Sequence, residues 1–194
     1  VGINKLNQLQ QDFINSLYNS SQDCFLISKT RSGKTIASLI LLILKLKERS
    51  SESGIRAVIL TPTCQLAEQI HQILLNMIQL QTNKLKICLL SSGMLMQAQI
   101  NALRQNPDVL ITTPGRFTNL SGKLELKNVQ IAIFDECDVT LMLEMEELLN
   151  LSFQILDSAQ ILVIAANLEG NLEGFWKNKL KDPILVQELK EREN

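Results

Sequence analysis

Short apolar runs alternate along this chain with longer segments whose apolar residues recur at helical spacing. The short runs, at residues 24–27, 57–60, 86–90, 109–111, 131–134, 161–165 and 184–186, are apolar on both faces, the pattern of strands buried inside a parallel sheet. Residues 6–17, 34–47, 65–79, 95–103, a stretch around 141–151, and 172–180 have the spacing of helices. In the third of these, Leu66, Ile70, Ile73, Leu74 and Met77 mark one face, and His71, the only histidine, falls beside it as a surface residue. Strand and helix in alternation predict an α/β fold, a mostly parallel, doubly wound sheet with helices on both faces. Residues 50–54 form a polar loop, and neither an internal repeat nor an interdomain linker breaks the pattern, so residues 1–194 are expected to form a single domain.

Composition narrows the class without naming a function. With 194 residues, 45% of them apolar, the chain is long enough for one substantial core and too apolar for a disordered segment. A formal net charge of −1 argues against a surface that coats nucleic acid by charge alone, so any such contact must be local. Cys24, Cys64, Cys88 and Cys137 lack metal-ligand spacing, and three of them lie in or beside apolar strands. Buried free thiols in a reducing, intracellular setting, nuclear or cytoplasmic, are the expectation. The apolar run at 39–44 is too short to span a bilayer and continues into Lys45, Lys47 and Arg49, so no membrane partner is expected. The chain opens at Val1 with no signal-like segment, as a piece excised from a longer protein would.

Two segments carry candidate chemistry. Residues 28–35 read Ser-Lys-Thr-Arg-Ser-Gly-Lys-Thr between a strand and a strongly apolar helix. That is the setting of a phosphate-binding loop, where backbone N–H groups and the positive end of a helix face phosphate oxygens. Gly33 lets the backbone come close, Lys34 is placed to reach the β- and γ-phosphates, and the Thr35 hydroxyl to ligate Mg²⁺. Ser28 stands where the full pattern has glycine, so the match is incomplete. About a hundred positions on, Asp135-Glu136-Cys137-Asp138 follows the strand at 131–134, which puts the Asp135 carboxylate at a strand's carboxyl end, where open α/β sheets bind ligands. Asp135 would hold Mg²⁺ through water, and Glu136 would orient or deprotonate an attacking water. Taken alone, a Gly-Lys-Thr is often an ordinary helix start and an Asp-Glu pair a solvated strand end; their presence in one predicted sheet favours a nucleotide site.

With these elements placed, further segments resemble the DEAD-box RNA helicases. Pro62-Thr63-Cys64-Gln65-Leu66-Ala67-Glu68-Gln69 is similar to their Pro-Thr-Arg-Glu-Leu-Ala-x-Gln segment, and Thr113-Pro114-Gly115-Arg116 matches their Thr-Pro-Gly-Arg in full. Asp135–Asp138 is the Asp-Glu-Cys-Asp form of the name-giving motif; Ser92-Gly93 fits a family glycine pair by half. Residues 2–10 align with the segment ending in the family's adenine-reading glutamine, here Gln10, although the usual prolines are missing. Lys181-Asp182-Pro183 resembles the end of the family's first RecA-like domain. The resemblance implies a RecA-like P-loop NTPase domain binding ATP and Mg²⁺ through Gln10, Ser28, Lys29, Thr30, Arg31, Ser32, Gly33, Lys34 and Thr35, with Asp135 and Glu136 serving the chemistry. It implies that Pro62, Thr63, Gly93, Thr113, Pro114, Gly115 and Arg116 follow the backbone of single-stranded RNA without reading its sequence. It implies a second RecA-like lobe in the full-length protein, supplying arginines of a type worth about 10³–10⁵-fold in rate in the NTPases where they have been tested. Without that lobe, this chain is expected to turn over almost no ATP. For Gln10 a second reading stays open, an ordinary surface residue of the helix at 6–17.

The chain also departs from the family pattern. Arg31 replaces a loop glycine, where its cation either adds phosphate affinity or obstructs the pocket. Cys64 and Gln65 replace an Arg-Glu pair, and Val139-Thr140 a basic continuation. Ala165-Ala166-Asn167 stands where the family has Ser-Ala-Thr, whose hydroxyls link nucleotide state to strand separation. A weakened coupling of ATP to unwinding is therefore expected. The alternative is a catalytically inactive, helicase-like scaffold with protein partners in a ribonucleoprotein assembly. A third reading, a DNA-directed or protein-remodelling P-loop ATPase, is opposed by Thr113–Arg116.

Overall fold

The computed structural model describes residues 5–47, 54–79, 85–167, 174–176 and 179–187. Among these, seven strands form one sheet: β1 (Cys24–Ile27), β2 (Ala57–Leu60), β3 (Ile87–Leu89), β4 (Val109–Thr112), β5 (Ile131–Phe134), β6 (Gln160–Ala165) and β7 (Ile184–Gln187). Their order is β3-β4-β2-β5-β6-β1-β7, and every pairing is parallel. All strand carboxyl ends therefore share one edge of the sheet, its carboxyl edge.

Alternation along each strand divides the core between two faces. Cys24 and Leu26 of β1 belong to the cluster packed against α1 (Gln8–Leu17), α2 (Lys34–Lys45) and α3 (Cys64–Ile78). Phe25 and Ile27 belong to the other cluster, with Phe117, Cys137 and Leu149 from α5 (Pro114–Leu120), α6 (Cys137–Met142) and α7 (Glu146–Ile155). α4 (Met96–Leu103) joins this second face through Ala102 and Leu103. The fully buried Trp176 meets Phe134, Phe153 and Phe175 edge-to-face at centroid distances of 5.2, 5.7 and 5.0 Å. Such pairs are worth about 0.5–1.5 kcal/mol each, and here they hold the end of β5, whose next residue is Asp135. At the opposite edge, the buried Arg56 donates from Nε and Nη2 to one oxygen of Asp108 at 3.1 and 2.9 Å, while the other oxygen accepts from Lys86 N–H at 2.8 Å. This network fixes the starts of β2, β3 and β4 and explains why β3 opens at Ile87 and not at Lys86.

Element bounds differ from the sequence reading for local reasons. The first helix starts at Gln8 because Asn7 caps it: Asn7 Oδ1 accepts from Gln10 N–H at 2.9 Å and Gln10 Oε1 from Asn7 N–H at 3.0 Å. This reciprocal pair is a capping box. α3 starts one residue early, at Cys64, with the Thr63 hydroxyl accepting from Leu66 N–H at 3.2 Å. The stretch around 141–151 is two helices, α6 and α7, broken where Glu144 takes a left-handed φ of 56°. α5 was not expected at all; Pro114 opens it at the first helical position, where a missing N–H costs nothing. His71 is half-buried and not a free surface residue, and desolvation holds its pKa below the usual value. Burial pushes the Cys24 thiol up to about 12 and the Cys88 thiol to about 11, and all four cysteines are free thiols. Among the described residues no helix is long and apolar enough to cross a membrane. Residues 2–4 of the adenine-linked segment, residues 50–53 of the polar loop, and 172, 173, 177 and 178 of the last expected helix lie outside the described residues; 174–176 are helical.

Candidate functional site

The carboxyl edge has two halves. The segments that follow β1, β5 and β6 lie side by side in the sheet order and carry the phosphate-loop, Asp-Glu-Cys-Asp and Ala-Ala-Asn residues. The segments that follow β2, β3 and β4 are likewise neighbours and carry Pro62-Thr63, Ser92-Gly93 and Thr113–Arg116.

In the first half, the chain leaves β1 at the buried Ser28 and loops to Gly33, which caps α2 with φ 87° and ψ 20°. Only glycine adopts that conformation freely, and a Cβ there would also run into the Gln10 side-chain amide. The start of α1 pins the loop from outside: Asn7 Nδ2 donates to Ser32 O at 2.9 Å and Gln10 Nε2 to Gly33 O at 3.2 Å. Gln10 is therefore 7% exposed and bound to the loop, which overturns its reading as a surface residue. Lys34 Nζ folds back over the loop, donating to Ser28 O and, at 2.8 Å, to Lys29 O. Lys29, Thr30 and Arg31 are exposed, and Arg31 takes a left-handed φ of 64°.

The loop meets the end of β5 in a contact between residues 100 positions apart. Thr35 Oγ1 donates to Asp135 Oδ2 at 2.8 Å, while Glu136 N–H donates to Asp135 Oδ1 at 3.0 Å. Asp135 is 2% exposed, and burial pushes its carboxyl up to about 6 against the opposing pull of the Thr35 hydrogen bond. Glu136 is exposed, with φ 51°, and its carboxyl is raised by burial and by Asp138 and lowered by Lys34. The two carboxylates thus differ in setting: Asp135 is oriented and enclosed, Glu136 open to the cleft.

Lys34, Thr35, Asp135, Glu136 and Ala166 line a cleft of about 320 Å³. Its donors fit a nucleotide's phosphates. Among the described residues, the α2 N-terminus has no side-chain cap and the buried Ser32 hydroxyl has no hydrogen-bond partner. Both leave N–H or O–H groups to be satisfied by an anion. Thr35 and Asp135 present hard oxygen donors, the type Mg²⁺ takes. A larger cavity of about 1090 Å³, lined by Lys45, Asp157 and Lys181 among others, lies at the other edge of the sheet, away from all these groups.

Also in the first half, Asp138 Oδ2 accepts from Ala166 N–H at 3.0 Å, but Asp138 Oδ1 is buried with no hydrogen-bond partner among the described residues. Ala165 beside it is buried and brings no hydroxyl; Asn167 is exposed. In the second half, the Thr63 hydroxyl caps α3, and Thr113 starts α5 with no side-chain cap bond. Pro62 and Pro114 are buried, and Gly115 packs against α7, where a Cβ would lie 3.4 Å from Leu148 Cδ1. The side chain of the half-buried Arg116 makes no hydrogen bond or ion pair among the described residues. Gly93 has room for a side chain, its nearest neighbour being Ser91 Oγ at 3.9 Å from a built Cβ. Cys64 Sγ and Ser92 Oγ, 3.3 Å apart, join α3 to that turn.

Two contributors were missed from sequence. Asn7 had a readable signal, the N-cap spacing to Gln10. Gln99, 1% exposed, donates to Met94 O at 2.8 Å and Ser91 O at 3.3 Å and so shapes the Gly93 turn; a glutamine in a helical segment gives no hint of that.

Comparison with known proteins agrees with this geometry. Residues 7–175 match the family model described as DEAD/DEAH box helicase. The chain is 38% identical over 170 residues to ATP-dependent RNA helicase DBP10 of Candida glabrata, covering 86% of this chain and 17% of that protein. It is 34% identical over 172 residues to DEAD-box ATP-dependent RNA helicase 29 of Oryza sativa subsp. indica, covering 87% of this chain and 20% of that one. The chain thus spans a fifth or less of the length of these curated relatives. Among solved structures it is similar to a DEAD box protein from the hyperthermophile Methanococcus jannaschii, with TM-score 0.82, 28% identity, and coverage of 92% of this chain and 48% of that one. A parallel seven-stranded sheet of RecA-like type, a phosphate loop bonded to an Asp-Glu-Cys-Asp strand end, and these similarities lead to one assignment: the chain belongs to the DEAD/DEAH box helicase family.

Proposed function

We propose that this chain is the first, ATP- and RNA-binding lobe of a two-lobed, intracellular RNA helicase. The observation that carries the reading is the 2.8 Å bond from Thr35 Oγ1 to Asp135 Oδ2, which brings the phosphate loop and the acidic strand end to one point. ATP would supply the phosphoryl group, and Mg²⁺ bound with it the positive charge that neutralises the phosphate oxygens. Lys34, bonded here to its own loop carbonyls, would pair with the phosphate oxygens, and Thr35 and Asp135 would hold the cation. Glu136, open to the cleft, orients or deprotonates the attacking water. Gln10 stays within reach of the loop and reads the adenine edge.

Thr63, Gly93, Thr113, Gly115 and Arg116 contact the phosphates and sugars of single-stranded RNA, with Pro62 and Pro114 shaping the track. Such contacts fix register and carry no sequence information. Coupling between the halves is weakened, because Ala165 leaves Asp138 Oδ1 unmatched. The arginines of a second lobe complete the hydrolytic site, so this lobe alone hydrolyses ATP negligibly with or without RNA. Partners beyond RNA belong to the whole protein, in a ribonucleoprotein setting. The scaffold alternative draws no support from the relatives, whose names are those of ATP-dependent RNA helicases. The test is titration of a fluorescent adenine nucleotide, with and without Mg²⁺, against this chain and Lys34→Ala. Mg²⁺-enhanced binding lost in the variant supports the ATP site; no binding by either removes it.

A further inference from the structure

Position 31 joins a backbone conformation that disfavours a side chain to a side chain without an internal partner. Arg31 has φ 64°, in the left-handed region where a Cβ crowds the backbone and glycine sits without steric cost. Arg31 is exposed, and its side chain makes no hydrogen bond or ion pair among the described residues. It nevertheless lines the same cleft as Lys34 and Asp135. Strained backbone of this kind clusters at ligand sites, and here it lies on the wall of the cleft that also holds Lys34 and Asp135.

We propose that the Arg31 guanidinium is a phosphate ligand supplied by the loop itself, and that it biases the site toward nucleoside triphosphate over diphosphate. The inference rests on the ATP-site reading above. Three observations favour phosphate over the other anion at hand, RNA. Arg31 follows β1, and β6 and β5 lie between β1 and β2, the nearest strand of the RNA half. The carboxylates of Asp135, Glu136 and Asp138 line the cleft, so a second cationic side chain beside Lys34 offsets their repulsion of a polyanion. A guanidinium also presents a planar fork that pairs with two phosphate oxygens at once, and a triphosphate offers more of them and more charge. Its exposure, with no contact tying it down across the cleft, argues against the obstructing role.

The test measures affinity of this chain for Mg²⁺ with a β,γ-imido triphosphate analogue, and separately with ADP, at two salt concentrations. The variants are Arg31→Gly, Arg31→Asn, Arg31→Lys and Lys34→Ala. Glycine and asparagine both tolerate the left-handed backbone, so thermal midpoints at or above wild type show that any loss of affinity is not loss of fold. The expected result is an analogue affinity about tenfold weaker in Arg31→Gly and Arg31→Asn, a smaller loss for ADP, a flatter salt dependence, and partial retention in Arg31→Lys. Analogue binding by Arg31→Gly as tight as wild type, or tighter, with Lys34→Ala still defective, overturns the role of Arg31 and leaves the ATP site standing. Absence of binding by wild type removes the ATP-site reading and this inference with it.

Discussion

The two halves of the carboxyl edge differ in how far their side chains are committed to one another. At the tips of β1 and β5, elements far apart in sequence are already bonded: Thr35 to Asp135, Asn7 to Ser32 and Gln10 to Gly33. At the tips of β2, β3 and β4, the Arg116 side chain has no hydrogen-bond or ion-pair partner among the described residues, a Cβ at Gly93 would meet Ser91 Oγ at an ordinary 3.9 Å, and the link from Cys64 to Ser92 is a thiol–hydroxyl contact. A preorganised site binds a compact, highly charged ligand without reorganising first, whereas an open row of small groups suits a flexible strand held by many weak contacts.

The largest break in this contrast is expected from Lys34→Ala. It removes a charged donor to phosphate, and loss of about 3 kcal/mol, roughly a hundredfold in nucleotide affinity, is expected. Calorimetric titration reads it, with RNA affinity of the same variant unchanged.

Next is the pH response set by Asp135. Its folded pKa, about 6, lies above the ordinary 3.8, so the folded lobe prefers the protonated form. The stability this contributes is complete below about pH 4 and is lost as pH rises through 6. Its size is about 2–3 kcal/mol, because a carboxyl displaced by one pH unit between unfolded and folded chain is worth about 1.36 kcal/mol. Asp135→Asn should remove that slope and raise the ligand-free melting temperature at neutral pH. Melting curves across this range check it; equal slopes in both proteins would contradict it.

Arg116→Ala sharpens the other half. RNA affinity should fall about tenfold, with the salt slope of binding reduced by about one and no sequence preference altered. Fluorescence anisotropy on homopolymeric and mixed oligonucleotides reads this, and unchanged nucleotide binding keeps the halves distinct. The smallest effect expected is from Ala165→Ser, which offers Asp138 Oδ1 a donor. A gain of about 0.5–1.5 kcal/mol follows if the hydroxyl reaches it, seen as a higher melting temperature.

The contrast also marks what could be read from sequence. The strands were legible because each is a short apolar run between polar breaks, and the meeting of the 28–35 loop with the β5 tip because each segment directly follows one of those strands. α5 was not, because a seven-residue helix opening on Pro-Gly has the local signature of a turn. The division of α6 from α7 depends on a left-handed Glu144, a conformation its residue type does not announce. Gln10 was ambiguous from helix periodicity alone; its bond to Gly33 depends on a tertiary approach over 23 positions. The unmatched oxygen of Asp138 was legible only as the absence of hydroxyls at 165 and 167, and its burial needed coordinates.

A Mg²⁺ titration at fixed, subsaturating nucleotide, comparing this chain with Asp135→Asn at neutral pH, tests the shared site most directly. If Thr35 and Asp135 together hold the cation, nucleotide affinity climbs with Mg²⁺ in the wild type and stays flat in the variant. An equal climb in both would mean that the buried carboxylate takes no part, and the joined phosphate loop and strand tip would have to be explained some other way.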